Sequence, residues 1–212
     1  MRYVTMALPL CAAVLAAPAL AAEPSAPFEW TEARFTQVEQ GDVSKGKKLA
    51  KRYKCMRCHN ENGISEDPDV PSIAGQRAAY LWKQLHDFKG HARMDEDMAR
   101  ATRRMDEEEM AHVSAYYAAQ ERPQKVGGQP MLVVKVCDSC HEVERIEENG
   151  RIEVAPVLAG QVRPYLETSM FRFRDSERHN DLFDRMQSVA QKLTDSEIRR
   201  LSVYYSALPM PN

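Results

Sequence analysis

Two short strings constrain this chain more than anything else in it: CMRCH at 55–59 and CDSCH at 137–141. On a helix, the step from Cys55 to Cys58 is i to i+3 and the step from Cys55 to His59 is i to i+4, so both thiols and the imidazole share one face. The same holds for Cys137, Cys140 and His141. One flat cofactor can meet all three groups of a string, and C-x-x-C-H is the attachment signature of c-type haem. Its thiols bond covalently to the porphyrin and its histidine takes the iron from one side. Two other uses of these residues carry less weight. A zinc site drawing on all four cysteines would join halves 82 residues apart in sequence. A redox dithiol needs no histidine directly behind the second thiol, and no βαβ pattern surrounds either string.

The fifth cysteine, Cys11, belongs to a different kind of segment. Residues 1–21 have Arg2 near the start, an apolar run through MALPLCAAVLAAPALA and a small-residue site at Ala19, Leu20 and Ala21, the pattern of a cleavable signal for export to the periplasm. Pro9 and Pro18 interrupt that run, and no later stretch approaches the roughly 18 apolar residues of a spanning helix. A soluble exported protein without a membrane span is expected. An oxidising compartment favours disulfides, but the four remaining cysteines are all committed to the two strings.

The second string is part of a longer internal repeat. At an offset of 82, Gly46, Cys55, Cys58 and His59 recur as Gly128, Cys137, Cys140 and His141. At 85, Pro71, Ala74, Gly75, Gln76, Tyr80, Leu81 and Phe88 recur as Pro156, Ala159, Gly160, Gln161, Tyr165, Leu166 and Phe173. At 88, His91, Met98, Glu109, Tyr116 and Tyr117 match His179, Met186, Glu197, Tyr204 and Tyr205. Two three-residue insertions in the second half, one between His141 and Pro156 and one between Phe173 and His179, account for the drift. The chain is a tandem duplication, divided as a signal at 1–21, an acidic extension at 22–44, a first unit at 45–122 and a second at 123–212.

A unit of this size buries too little apolar surface to be comfortably stable alone, and a covalently held haem supplies the missing core. The patterning is helical throughout. GKKLAKRYKCMRCH leads into the first string, while Tyr80, Leu81, Leu85 and Phe88, and then Met110, Val113 and Tyr117, repeat at helical spacing. Thr194 and Glu197 form a capping box before Ile198, Leu201, Tyr205 and Leu208, and Pro209 follows. No segment alternates as a sustained strand does. The fold class is therefore all-α, with a Pro- and Gly-broken linker, ERPQKVGGQP, at 121–130.

An iron held by histidine on one side has a second axial position, and its occupant decides the function. A thioether raises the reduction potential, whereas an open position admits substrate or oxygen chemistry. Met98 and Met186 occupy matching places downstream of the two strings. Methionine is also a common core filler. Met94 competes with Met98, but its counterpart is Leu182; Met105 pairs with Leu193 and reads as core; Met170 has no methionine counterpart. His91 and His179 recur at the same offset and present bis-histidine ligation as the alternative.

These residues resemble the dihaem class I cytochromes of the cytochrome c4 type. The resemblance covers nearly everything from Gly46 to Leu208. It rests on CMRCHNENG followed by PSIAGQRAAYLWKQLHDFKGHARMDEDM, then on CDSCHEV followed by PVLAGQVRPYLETSMFRFRDSERHNDLFDRM, each unit closing with a helix bearing two adjacent tyrosines. It implies two cytochrome c-like haem domains side by side, two covalently bound haem c groups with iron, and periplasmic electron transfer, often toward a terminal haem-copper oxidase. Carried over, Cys55, Cys58, Cys137 and Cys140 are the attachment residues, His59 and His141 the proximal ligands, and Met98 and Met186 the distal ones. Pro71 and Pro156 match the residue whose carbonyl holds the proximal imidazole. The second half is also similar to the cytochrome subunit of flavocytochrome c sulfide dehydrogenase.

Two functions follow from different classes. One is a free shuttle between redox partner proteins, a membrane donor complex and a terminal oxidase. The other is a haem subunit of a dehydrogenase whose flavoprotein chain does the substrate chemistry. In both the chain is an electron carrier and not itself an enzyme, and peroxidase activity would need an iron with an open position. The extension has no place in a minimal relative: it carries Phe28, Trp30 and Phe35 and a net charge of −4, against +2 for the first unit and −1 for the second. It reads as a disordered leader, a strap across both units or a docking arm. Basic residues are interspersed with acidic ones, which excludes a nucleic-acid surface.

Overall fold

In a computed structural model of the chain, the described residues are 28–121 and 134–208. The expected signal, the linker from 122 on, Gly128 and Pro209 lie outside them. Among the described residues there are ten helices and one two-stranded antiparallel sheet.

The first unit is built on three helices. In α2 (Val43–Arg52) the Asp42 side chain accepts from the Lys45 N–H and so starts the helix. α4 (Ala78–Lys89) presents Leu81, Trp82, Leu85 and Phe88 to the interior. α6 (Glu107–Ala118) opens with an Asp106–Glu109 capping box and buries Met110, Val113, Tyr116 and Tyr117. α2 and α6 cross at Gly46, where a Cβ would stand 2.0 Å from the carbonyl oxygen of His112, so glycine alone permits the approach. The short α5 (Glu96–Thr102) is capped by Asp95 and carries Met98.

The second unit repeats this plan with α7 (Val134–His141), α8 (Arg163–Arg174), α9 (Arg185–Ala190) and α10 (Asp195–Ala207). The Thr194–Glu197 capping box is formed. Its buried apolar cluster is the smaller one: Val134, Leu166, Leu201 and Tyr205. In both units the final helix locks the turn before the central one. Gly75 N–H donates to the Tyr117 carbonyl at 3.0 Å, and Gly160 N–H to that of Tyr205 at 2.8 Å.

Two features depart from the helical reading. The helix expected to run through the first string breaks at Lys54, which adopts φ 63. The insertion between His141 and Pro156 forms a hairpin of β1 (Ile146–Glu148) and β2 (Arg151–Glu153). Asn149 and Gly150 turn it with φ of 52 and 74, the positive pair that a two-residue hairpin demands. The Asn-Gly dipeptide signals such a turn, but strands of three residues are too short to alternate visibly.

The described part of the extension is a strap. α1 (Glu32–Glu39) buries Phe35 and Val38. Trp30 stacks on Phe35 at 4.4 Å and lies 5.6 Å from Trp82 of α4. From the second unit, the Arg145 guanidinium sits 3.8 Å over the Phe35 ring and pairs with Glu39 at 3.6 Å. No helix among the described residues is long and apolar enough to cross a membrane.

Candidate functional site

After the break at Lys54, one turn, α3 (Met56–His59), carries the first string, with the His59 N–H bonded to the Cys55 carbonyl at 3.0 Å. The second string lies on the unbroken α7. His59 and His141 are both buried at 7% exposure. Each directs Nδ1 at a proline carbonyl, His59 to Pro71 at 3.0 Å and His141 to Pro156 at 2.7 Å. A carbonyl only accepts, so Nδ1 carries the proton and Nε2 keeps the lone pair that a metal would take. Burial holds both imidazoles below the ordinary histidine range, which keeps them neutral and ligand-ready.

Both imidazoles, Cys55, Cys137, Cys140, Met98 and Met186 line one cavity of about 640 Å³, walled from both units. Cys58 is exposed. The backbone N–H of each methionine is fixed by a carboxylate at 2.9 Å, Met98 by Asp95 and Met186 by Asp181. The competing candidates separate by position. Met94 is 69% exposed, and His91 and His179 are exposed and stand outside the cavity wall. Met105 is a core residue at 1% exposure whose edge reaches the cavity, and Met170 also lines it.

The cavity suits a haem and does not suit zinc. Its wall is largely apolar, with imidazole and thioether groups facing it from each unit. Burial pushes the Cys55 thiol up to about 11, and Cys137 upward too, which disfavours the thiolates zinc requires. Among the described residues no three His, Cys, Asp or Glu side chains gather to hold a metal ion, and none of the four cysteines is in a disulfide.

Sequence reasoning missed the polar seam between the units. Lys83 and Asp87, both nearly inaccessible, pair at 2.7 Å, and Asn180 donates to Asp87 at 2.6 Å. Arg93 donates to Gln84 at 2.7 Å and to the Tyr165 hydroxyl at 2.8 Å. Arg178 bonds Asn180 at 2.9 Å and lies 4.4 Å over the Phe173 ring. Burial pushes the Tyr165 phenol up, but Arg93 and Arg178 beside it prevail and hold it below the ordinary phenol range. Tyr165 was visible as a repeated residue; the arginines answer it only across the fold.

The family model for cytochrome c matches residues 43–119. The cytochrome c4 of Pseudomonas aeruginosa is 31% identical over 185 residues, covering 79% of this chain and 89% of that protein. A protein named thiosulfate dehydrogenase electron acceptor, from Stutzerimonas stutzeri, is 27% identical, covering 72% of this chain and 77% of its own length. The crystal structure of reduced recombinant cytochrome c4 from Pseudomonas stutzeri superposes with a TM-score of 0.65 at 26% identity, covering 79% of this chain and 99% of that one.

Proposed function

The chain belongs to the cytochrome c4 family, and from that premise we propose that it is a periplasmic shuttle, taking electrons from a membrane-bound donor complex and delivering them to a terminal acceptor such as a haem-copper oxidase. As a member of that family it is an electron-transfer cytochrome rather than an enzyme, and its cofactors are two covalently bound haem c groups with iron. In this reading Cys55 and Cys58 tether one group and Cys137 and Cys140 the other, within domains at 45–122 and 123–212. His59 with Met98, and His141 with Met186, would hold the two irons.

Each haem, when bound, supplies a reversible one-electron iron couple. What the chain's own residues do follows from their positions. The Pro71 and Pro156 carbonyls fix the plane and tautomer of the two imidazoles and make them better donors. Asp95 and Asp181 hold the methionine backbones. Arg93, partly buried, and Arg178, buried, line the cavity and would offer cations to the carboxylates that a porphyrin carries. The apolar wall would keep water from a bound haem, and in each unit an imidazole and a thioether would hold the iron and leave no room for substrate.

The observation that carries this reading is the duplication itself: in each unit an imidazole held by a proline carbonyl and a carboxylate-fixed methionine face one cavity. The test is purification from a host that matures c-type cytochromes. Two haems per chain that stay with the polypeptide through acidic organic extraction are expected, together with low-spin spectra at both centres. A colourless chain, or extractable pigment, overturns it. The likeness to the thiosulfate dehydrogenase electron acceptor supports a second reading, a haem subunit working with a dehydrogenase. Stoichiometric co-elution with a dehydrogenase polypeptide would select that one.

A further inference from the structure

The two proximal histidines are each braced by the opposite unit. Gln76 is 3% exposed and reaches across to the second unit, where its Oε1 accepts from the Val157 N–H at 2.8 Å and its Nε2 donates to the Val157 carbonyl at 3.0 Å. Gln161, 5% exposed, does the same in reverse: its Oε1 accepts from the Ser72 N–H and its Nε2 donates to the Ser72 carbonyl, both at 2.9 Å. The N–H of Val157 belongs to the same peptide group as the Pro156 carbonyl that takes the His141 proton. The N–H of Ser72 shares its peptide group with the Pro71 carbonyl that takes the His59 proton. Each proximal imidazole is thus one end of a chain that runs from Nδ1–H through a single peptide to a glutamine of the other unit.

Hydrogen bonds in series polarise one another. A glutamine oxygen accepting from the peptide N–H makes that peptide's carbonyl a stronger acceptor. The imidazole proton is then drawn further away, and Nε2 becomes a better donor to a ferric iron. The second loop has an additional brace in Arg77, which donates to the Ala155 carbonyl and, at 2.9 Å, to that of His141. Its counterpart in the other unit is Val162, which cannot donate from its side chain.

We propose that Gln76 and Gln161 are crossed positioning residues: Gln76 sets the electron density on the second unit's proximal histidine and Gln161 that on the first unit's. This rests on His59 and His141 being the proximal ligands. It goes beyond that assignment by making each centre's affinity for electrons depend on a side chain of its neighbour.

The test uses the full-length two-haem protein with Gln76→Leu and Gln161→Leu. The readouts are redox titration and, in the oxidised protein, the paramagnetically shifted resonances of each haem assigned to its unit. Two low-spin histidine-ligated centres in the unaltered protein establish the underlying assignment independently; their absence sinks that assignment and not the crossing alone. Gln76→Leu is expected to favour the reduced form of the second centre by about threefold at a fixed ambient potential, less than the tenfold or more typical of losing a ligand's direct partner. The first centre should keep its ratio and its resonances. Gln161→Leu should show the mirror image. A shift in the haem of the substituted unit, an equal shift in both, or no shift overturns the proposal. Should the leucine variants not accumulate with two haems, Gln76→Glu and Gln161→Glu decide it: the anionic acceptor should move the same opposite-unit centre the other way. Failure of all four to yield two-haem protein assigns the glutamines a purely structural role and also overturns it.

Discussion

The guanidinium of Arg145 lies 3.8 Å above the ring of Phe35, joining the start of the second unit to a helix that precedes the first. Phe35 is 4% exposed beneath it. Phe35→Ala should therefore cost about 3–5 kcal/mol, the range for truncating a buried aromatic ring. Arg145→Ala should cost about 1 kcal/mol, as a partly exposed cation–π contact. Denaturant titration of the holoprotein, followed by tryptophan emission from Trp30 and Trp82, measures both.

Gly46→Ala should destabilise the first unit by about 1–3 kcal/mol, because α2 must back away from the His112 carbonyl to admit a methyl group. The second unit should be unaffected. Thermal unfolding monitored separately at the two haems would show one transition moving and the other staying.

On the proposed ligand set, Met98→Ala should lower the reduction potential of one centre and Met186→Ala that of the other, since each would remove a thioether that favours the reduced iron. Potentiometric titration with optical detection reads the change. Met94→Ala should leave both potentials alone, its side chain being 69% exposed.

Removing one haem should unbalance the halves. With Cys137→Ala and Cys140→Ala together, the second unit is left with a cavity and the small cluster of Val134, Leu166, Leu201 and Tyr205, too little to hold it. The first unit keeps its larger core and the strap. Amide exchange should lose protection in α8 and α10 while α2 and α6 retain it.

Burial pushes the Glu153 carboxyl above its ordinary range. The folded state therefore holds this proton more tightly than the unfolded chain does. Its stabilising contribution is complete below about pH 4.5 and disappears as pH rises through the raised value. Glu153→Gln should flatten that part of the stability profile, measured as the difference in denaturation midpoint between the two proteins from acid to neutral pH.

Different features of the molecule were legible to different degrees. The two C-x-x-C-H strings could be read directly, because a motif of fixed spacing is itself a fixed pattern of residues. The repeat register also distinguished Met98 from Met94, and those two side chains do diverge, one to the cavity and one to solvent. Gln76 and Gln161 were visible as recurring residues without a role. Their partners lie in the opposite unit, and no periodicity within one chain segment encodes which surfaces of two domains will meet. The strap was visible only as an aromatic, acidic stretch with three possible fates. Its seat against Trp82 and Arg145 is a tertiary fact. The hairpin at 146–153 announced its turn in Asn149–Gly150, but its strands were shorter than any alternation could reveal.

The strap also carries an order of events. Phe35 precedes Arg145 by 110 residues, so the cap over the leading half cannot close until the trailing half is present. A nascent or truncated chain therefore keeps one side of its aromatic nest open.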